Sequence, residues 1–221
     1  ASITVGSEAT KLATVNTAGM SNDLALTLQA TVDQTVTGGA AAETVAFGGT
    51  LNNADSVNLG AGTDVISATS TSLTATTGAL NITDVETINL TNTGTAVIDA
   101  TSITGATEIA TLTNTTKTTI TGLEAGVAVG IGHNDTDGAT AGLFDVALAD
   151  ATGTADALTF NLNNTNAGNN AVELKAAGVE TVTLKQTDTT DTALADYTFD
   201  VDSLSASKIV LVIVSNVLSA S

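Results

Sequence analysis

Short segments of alternating apolar and polar residues recur along this chain at a spacing of 22 residues. Residues 86–92, ETINLTN, align with residues 108–114, EIATLTN, at a shift of 108 − 86 = 22. The same shift relates two further pairs of segments: 97–99 with 119–121, and 159–162 with 181–184. Two short strands in each coil of roughly 22 residues predict an all-β fold, a β-solenoid of the parallel β-helix or β-roll kind, in which each coil stacks on the next.

Alternation within the segments predicts which side chains point inward. The expected inward residues are Leu24, Leu26, Leu28, Ala30, Val32, Ile88, Leu90, Leu158, Phe160, Leu162, Val182 and Leu184. Helical spacing is absent except within the first thirty residues, where SEATKLATVNTAGMSND permits a short helix. A β-sandwich with strands at similar intervals is the alternative fold.

The 22-residue register fails between about Gly122 and Ala157, where we expect an insertion in one coil or a break in the stack. This divides the chain into four parts. They are an N-terminal segment of strands and a short helix (1–36), a β-solenoid with a calcium-type turn (37–125), a loop-rich insertion (126–157) and a second β-rich segment (158–221).

The charge of the chain excludes several partners. The formal net charge is −18, and five lysines are the only fixed cations. Nucleic-acid binding depends on Lys and Arg that neutralise phosphates, so a nucleic-acid partner is excluded, and anionic membranes are disfavoured for the same reason. The longest apolar run, Ile209–Leu218, is too short to span a bilayer, which argues against membrane insertion.

One turn resembles a calcium-binding motif, the nonapeptide G-G-x-G-x-D-x-U-x. In ADSVNLGAGTDVIS, Gly60, Gly62 and Asp64 occupy fixed positions of this motif, with Leu59 where its first glycine belongs. Asp55 repeats the aspartate nine residues earlier, and Asn53 offers a side-chain oxygen. Glycine permits a positive φ in the turn, and a carboxylate completes a shell of oxygen ligands around calcium.

Two other loops carry a weaker form of the same signal. GIGHNDTDG holds Asp135 and Asp137 in a pattern like half of an EF-hand loop, and DATGTADALTF places Asp156 just before a strand. The alternative for each loop is a turn in which aspartate makes local hydrogen bonds. The predicted metal ligands are Asn53, Asp55, Gly60, Gly62, Asp64, Asp135, Asp137 and Asp156.

Most of the chain from Thr37 to Leu184 resembles the Thr-, Ala- and Asn-rich repeats of bacterial surface-layer proteins with repeats-in-toxin motifs, of the Caulobacter and Campylobacter type. The resemblance rests on the composition, on the D-x-V-x-L-G-x-G-x-D turn and on the recurring V-E-T-I/V-x-L strand. It implies a secreted, calcium-stabilised β-solenoid that assembles with copies of itself into a lattice on the cell surface. Within this resemblance, Asp55, Gly60, Gly62 and Asp64 match a calcium turn.

A catalytic function has few residues to depend on. The chain has one histidine, His133, one tyrosine, Tyr197, no cysteine and no arginine, and no motif places a nucleophile beside a base. We therefore predict that the protein is not an enzyme but a self-assembling, calcium-dependent subunit of a surface layer or filament at the bacterial cell surface. The alternatives are an extracellular repeat adhesin that binds surface polysaccharide and, less favoured, a polysaccharide-acting β-helix enzyme.

Overall fold

The computed structural model describes residues 1–29, 31–70, 73, 78–91, 94–113, 117–132, 142–162, 169–188, 196–200 and 208–215. These residues form twenty β-strands, arranged in three sheets, and every strand pair among them is parallel. Parallel pairing between strands separated by a full coil is the arrangement of a β-solenoid. The predicted fold is confirmed, and the β-sandwich alternative, which is built from antiparallel sheets, is not observed.

One long sheet of ten strands runs along the molecule. In spatial order its strands are β1 (Ser2–Val5), β3 (Leu24–Leu28), β5 (Glu43–Gly48), β7 (Val65–Thr69), β9 (Thr87–Thr91), β12 (Glu108–Thr113), β14 (Ala128–Ile131), β16 (Ala157–Leu162), β18 (Thr181–Asp188) and β20 (Lys208–Ser215).

Two shorter sheets of five strands each complete the coils. The first short sheet contains β2 (Thr14–Asn16), β4 (Thr35–Gly39), β6 (Ser56–Gly60), β8 (Asn81–Thr83) and β11 (Ile103–Thr104). The second short sheet contains β10 (Ala96–Asp99), β13 (Thr118–Leu123), β15 (Gly142–Leu148), β17 (Asn169–Ala176) and β19 (Asp196–Asp200). The chain passes from the long sheet to a short sheet and back again in each coil, except that the coil from β9 to β12 contains a strand of each short sheet, β10 and β11.

The core is built from apolar side chains that stack in register from coil to coil. One column in the long sheet consists of Leu26, Val45, Ile66, Ile88, Ile109, Val129, Phe160 and Leu184, all buried. Each such side chain contributes about 1.5–3 kcal/mol through burial. Side chains along a strand point alternately to opposite faces of the sheet. The alternation of apolar and polar residues in the sequence therefore places this column in the core. The predicted inward residues from Leu24 to Leu28 and from Leu158 to Leu162 are buried as expected.

The spacing between paired residues varies around the predicted 22. Val97 pairs with Thr119, a shift of 22, whereas Leu24 pairs with Glu43, a shift of 43 − 24 = 19. The predicted alignment of residues 159–162 with 181–184 is wrong by two residues, because Thr159 pairs with Thr183. A shift error of two leaves the inward and outward faces unchanged, so the core assignment there remains correct.

The alignment of ETINLTN with EIATLTN is wrong by one residue over most of its length. Ile88 pairs with Ile109, a shift of 21, and the shift becomes 22 only at Thr91 and Thr113, after an irregularity between Thr111 and Thr113. Two residues then oppose one, as in a β-bulge. The residue inside this irregularity, Leu112, is 52% exposed, although the predicted alignment matched it with the buried Leu90.

The predicted short helix near the N-terminus is also wrong. Residues 7–23 form turns and β2. Residues Thr14–Asn16 of β2 pair with β4, and this pairing prevails over the weak local helix preference of a segment rich in Thr, Asn and Gly.

The stack continues through the region where the sequence register fails. β14 pairs with β16 across the longest coil, in which Val129 pairs with Phe160, a shift of 160 − 129 = 31. The expected insertion is therefore accommodated inside one coil, and the sheets are not interrupted there. No helix among the described residues has the length and apolarity to cross a membrane.

Candidate functional site

The two aspartates of the candidate calcium turn lie at opposite ends of one strand. Asp55 immediately precedes β6, and Asp64 lies in the turn that leads from β6 back to the long sheet. β6 has five residues and spans about 17 Å. The two carboxylates therefore occupy different corners of the coil and belong to separate sites.

Asp55 is a buried hydrogen-bond acceptor that joins two coils. Its side chain is 3% exposed. Oδ1 accepts a hydrogen bond of 2.6 Å from the backbone N–H of Gln34 in the preceding coil, and Oδ2 accepts one of 2.8 Å from the N–H of Asn52 in its own turn. Burial raises the pKa of Asp55 above its ordinary value, although these two hydrogen bonds oppose the shift. Both oxygens of Asp55 are thus used to hold the backbone.

The glycines of this turn are required by close stacking of coils. Gly60 has a φ of +87° and Gly62 a φ of +156°, values that glycine adopts readily and other residues rarely do. A Cβ on Gly60 would clash with the carbonyl oxygen of Gly39, and a Cβ on Gly62 with that of Ala41. Leu59, which replaces the first glycine of the motif, is fully buried in the core.

Three acidic residues occupy equivalent corners in successive coils. Glu43 begins β5, while Asp64 and Glu86 immediately precede β7 and β9. We call these three residues the acidic column. Asp64 Oδ1 accepts a hydrogen bond of 2.7 Å from the N–H of Glu43, and Glu86 Oε2 accepts one of 2.7 Å from the N–H of Asp64. Asp64 and Glu86 thus each cap the backbone of the coil before their own.

Two residues of the acidic column, Glu43 and Asp64, have buried carboxylate oxygens that no N–H or O–H donor contacts. Glu43 is 1% exposed and Asp64 is 0% exposed. When both groups are carboxylates, three oxygens have no hydrogen-bond donor: Oε1 and Oε2 of Glu43 and Oδ2 of Asp64. The two groups are close enough to hydrogen-bond to each other when one of them is protonated. Burial raises the pKa of both residues, and the negative charge of Asp64 raises that of Glu43 further. Buried unpaired charge is costly, so this pair favours a proton or a cation.

Of the predicted ligands, Asp64 fits part of a calcium shell better than Asp55 does, and it does so together with Glu43, which was not predicted. Calcium takes six to eight oxygen ligands, and the pair supplies three carboxylate oxygens that have no hydrogen-bond partner. Both oxygens of Asp55 already accept hydrogen bonds from backbone N–H groups. Within the described ranges, no group of three His, Cys, Asp or Glu side chains is arranged to hold a metal ion.

A carboxylate that accepts a hydrogen bond from the backbone of the preceding coil occurs again late in the chain. Asp156 immediately precedes β16, and its N–H donates a hydrogen bond of 2.9 Å to Oε2 of Glu180, which immediately precedes β18. Oδ2 of Asp156 accepts a hydrogen bond of 3.0 Å from the N–H of Gly153 within its own turn. The local-turn alternative for the loop around Asp156 therefore has direct support in these contacts.

Asn53 does not join these groups. It is exposed, and its amide nitrogen lies 3.2 Å from the position that a Cβ on Gly78 would occupy. Asp135 and Asp137, together with His133, lie outside the described residues.

Sequence reasoning overlooked Glu43, Glu86 and Glu180, and a signal for them was present. Each stands before Thr and a β-branched residue: Glu43 in ETV, Glu86 in VETI and Glu180 in VETV. The recurrence identified the strand, but the role of its leading glutamate was not recognised. Glu86 and Glu180 cap the coil before their own, and Glu43 lies beside Asp64.

The chain matches no protein-family model, no curated protein and no solved structure. The fold and the acidic column are therefore the basis for any functional proposal.

Proposed function

We propose that this protein is a structural, non-enzymatic subunit that assembles with copies of itself into a calcium-dependent layer or filament at a bacterial cell surface. The observation that carries the proposal is the buried Glu43–Asp64 pair, which places three carboxylate oxygens without hydrogen-bond partners between two coils. A cation held there would neutralise the pair and join the coils that supply it.

Calcium would act on the stack as a whole through this pair. In a solenoid each coil contacts only its neighbours, so the strength of one interface between coils limits the order of the whole stack. A ligand that binds only the folded state adds to the free energy of unfolding in proportion to the logarithm of its concentration over its Kd. Calcium bound by Glu43 and Asp64 would thereby make the solenoid, and any assembly built from it, dependent on the cation.

The surface of the solenoid supports self-assembly more than catalysis. Outward-facing strand positions carry many Thr, Ser and Asn side chains, such as Thr35 in β4, Asn58 in β6 and Asn81 in β8. Hydroxyl and carboxamide groups both donate and accept hydrogen bonds, so such a face is able to bind a similar face. These features favour a structural subunit over an enzyme.

The test is a calcium titration at constant ionic strength, from chelator to millimolar calcium, with thermal unfolding and negative-stain electron microscopy at each step. We expect calcium to raise the Tm and to induce sheets or filaments. The double variant Glu43→Gln with Asp64→Asn should lose both responses, because neutral amides are poor substitutes for carboxylate ligands.

The matched control is Glu8→Gln with Glu124→Gln, which removes the same charge from two exposed positions. This control should respond to calcium as the unmodified protein does. A Tm that is the same in chelator and in millimolar calcium would refute the calcium dependence, and a chain that stays monomeric throughout would refute the assembly.

A further inference from the structure

The first short sheet is the only one of the three described sheets whose strands contain no charged residue. Its five strands read TVN, TVTGG, SVNLG, NIT and IT. By contrast, β10 and β15 of the second short sheet contain Asp99 and Asp145, and β12 and β18 of the long sheet contain Glu108 and Lys185. An uncharged sheet is notable in a chain of net charge −18.

The outward side chains of this sheet form two columns in register. The first column is Thr14, Thr35, Ser56 and Asn81, and the second is Asn16, Thr37, Asn58, Thr83 and Thr104. We call these nine residues the neutral polar face. None of them is buried, whereas Val36, Val57 and Ile82, which alternate with them, point into the core.

Hydrogen bonds between coils hold part of the neutral polar face in place. Asn81 Nδ2 donates to Ser56 Oγ at 3.1 Å, and Asn58 Nδ2 donates to Asp84 Oδ2 at 3.2 Å. The hydroxyl of Thr83 donates to the carbonyl of Val57 at 3.3 Å. Side chains that are already ordered lose less conformational entropy when a partner binds.

We propose that the neutral polar face binds the same face of a second copy of this chain. The inference rests on the proposed self-assembly and identifies the surface that mediates it. Like-charge repulsion between two copies of an acidic protein is reduced where the facing strands carry no charge, and the Asp84 carboxylate at the edge of the face is hydrogen-bonded to Asn58. Hydroxyl and carboxamide groups are both donors and acceptors, so the face is complementary to itself, as a two-fold interface requires.

The size of the face sets the expected strength of this contact. The five strands have 3, 5, 5, 3 and 2 residues, which corresponds to a mean length of about 12 Å. Spaced about 4.8 Å apart, they cover roughly 300 Å² of one copy. A stable interface buries about 800 Å² on each partner. An isolated pair should therefore associate weakly, and an assembly that repeats the contact many times gains affinity through multivalency.

The test introduces two negative charges on the neutral polar face and compares their effect on self-association with that of two negative charges on the long sheet. Thr35→Glu with Asn81→Glu modifies two positions of one column separated by one strand, since both pair with Ser56. The control, Thr27→Glu with Ser67→Glu, modifies two outward positions of the long sheet that are also separated by one strand, since both pair with Ala46. Both variants change the net charge equally.

Self-association is measured by sedimentation velocity over a concentration series, in calcium and in chelator, after circular dichroism and thermal unfolding have established that each variant is folded. We expect the face variant to associate at least about tenfold more weakly than the control variant, because like charges then face each other across the contact. If the unmodified protein assembles and the two variants weaken assembly equally, the neutral polar face is not the interface, while the proposed function stands.

Two other outcomes also decide the matter. An unmodified chain that remains monomeric at every concentration would overturn both the proposed function and this interface. If the face variant self-associates like the control but loses binding to a bacterial surface polysaccharide, the face recognises glycan, and its role between copies of the chain is refuted.

Discussion

Gly60 shows how the stacking of coils selects a residue that also fits a metal-binding motif. Its φ of +87° and the carbonyl oxygen of Gly39 next to it both exclude a larger residue. Gly126 has a similar φ of +92°, but nothing lies within 4 Å of the position that its Cβ would occupy. A substitution at Gly126 therefore measures the cost of the backbone conformation alone. The same substitution at Gly60 adds the cost of the clash between coils.

We predict that Gly60→Ala lowers the free energy of unfolding by more than Gly126→Ala. A positive φ alone costs an alanine about 1–2 kcal/mol, and the clash in the Gly60 variant adds at least about 1 kcal/mol by forcing the two coils apart. Chemical denaturation of both variants in the presence of chelator measures the difference. Equal losses would show that the coil spacing adjusts freely and that Gly60 is needed for another reason.

Asp55 marks the limit of motif reasoning at the level of a single residue. The motif requires a carboxylate at this position, and the structure places one there, but the carboxylate bonds to the N–H groups of Gln34 and Asn52. An acidic residue in a Gly-rich turn satisfies a calcium motif and a backbone cap equally well in sequence. Only the neighbours supplied by another coil distinguish the two.

At the scale of an element, β12 shows how one extra residue changes which side chains are buried. The irregularity between Thr111 and Thr113 changes the shift from 21 to 22, and Leu112 inside it is exposed, whereas Ile109 before it is buried. Because strand side chains alternate, an alignment error of one residue moves a side chain to the opposite face.

We predict opposite consequences for the same substitution at these two positions. Leu112→Thr should change the free energy of unfolding by no more than about 0.5 kcal/mol. Ile109→Thr should lower it by about 3 kcal/mol, because it removes buried apolar volume and places a hydroxyl in the core. Urea denaturation of both variants tests the register directly, and a large loss for Leu112→Thr would contradict the β12 pairing.

A feature of the fold could be predicted from the sequence when the residues that determine it lie close together along the chain. Alternation lies within five or six residues, so the buried faces of β3, β9 and β16 were predicted correctly. The pairing of β12 was not, because a bulge is decided by packing between coils. The Glu43–Asp64 pair was missed for the same reason: the two residues are 21 apart, and a register one residue different would separate their carboxyl groups.

At the scale of the whole molecule, the charge of the chain and the buried pair act on stability in the same direction. The formal net charge of −18 produces repulsion that the unfolded chain relieves by expanding. Burial raises the pKa of Glu43 above its ordinary value of 4.5, with a further contribution from the charge of Asp64. Between the ordinary and the raised pKa, the folded protein binds more protons than the unfolded chain does. The free energy of unfolding therefore falls as the pH rises through this interval.

We predict that Glu43→Gln stabilises the protein at pH 7 in chelator, because a carboxamide removes the buried charge and is able to donate a hydrogen bond to Asp64 Oδ2. Below about pH 4.5, the ordinary value of a glutamate pKa, the unmodified protein has Glu43 protonated in both states, so the advantage of the variant should diminish. Glu8→Gln, which removes an equal charge from an exposed position, measures the contribution of overall repulsion alone. The measurement is denaturant unfolding of the unmodified protein, Glu43→Gln and Glu8→Gln from pH 4 to pH 8. The contribution of the buried pair is the part of the pH dependence of the unfolding free energy that Glu43→Gln abolishes and Glu8→Gln retains. Identical pH profiles for the two variants would mean that overall charge, and not the pair between the coils, governs how the stack responds to protons.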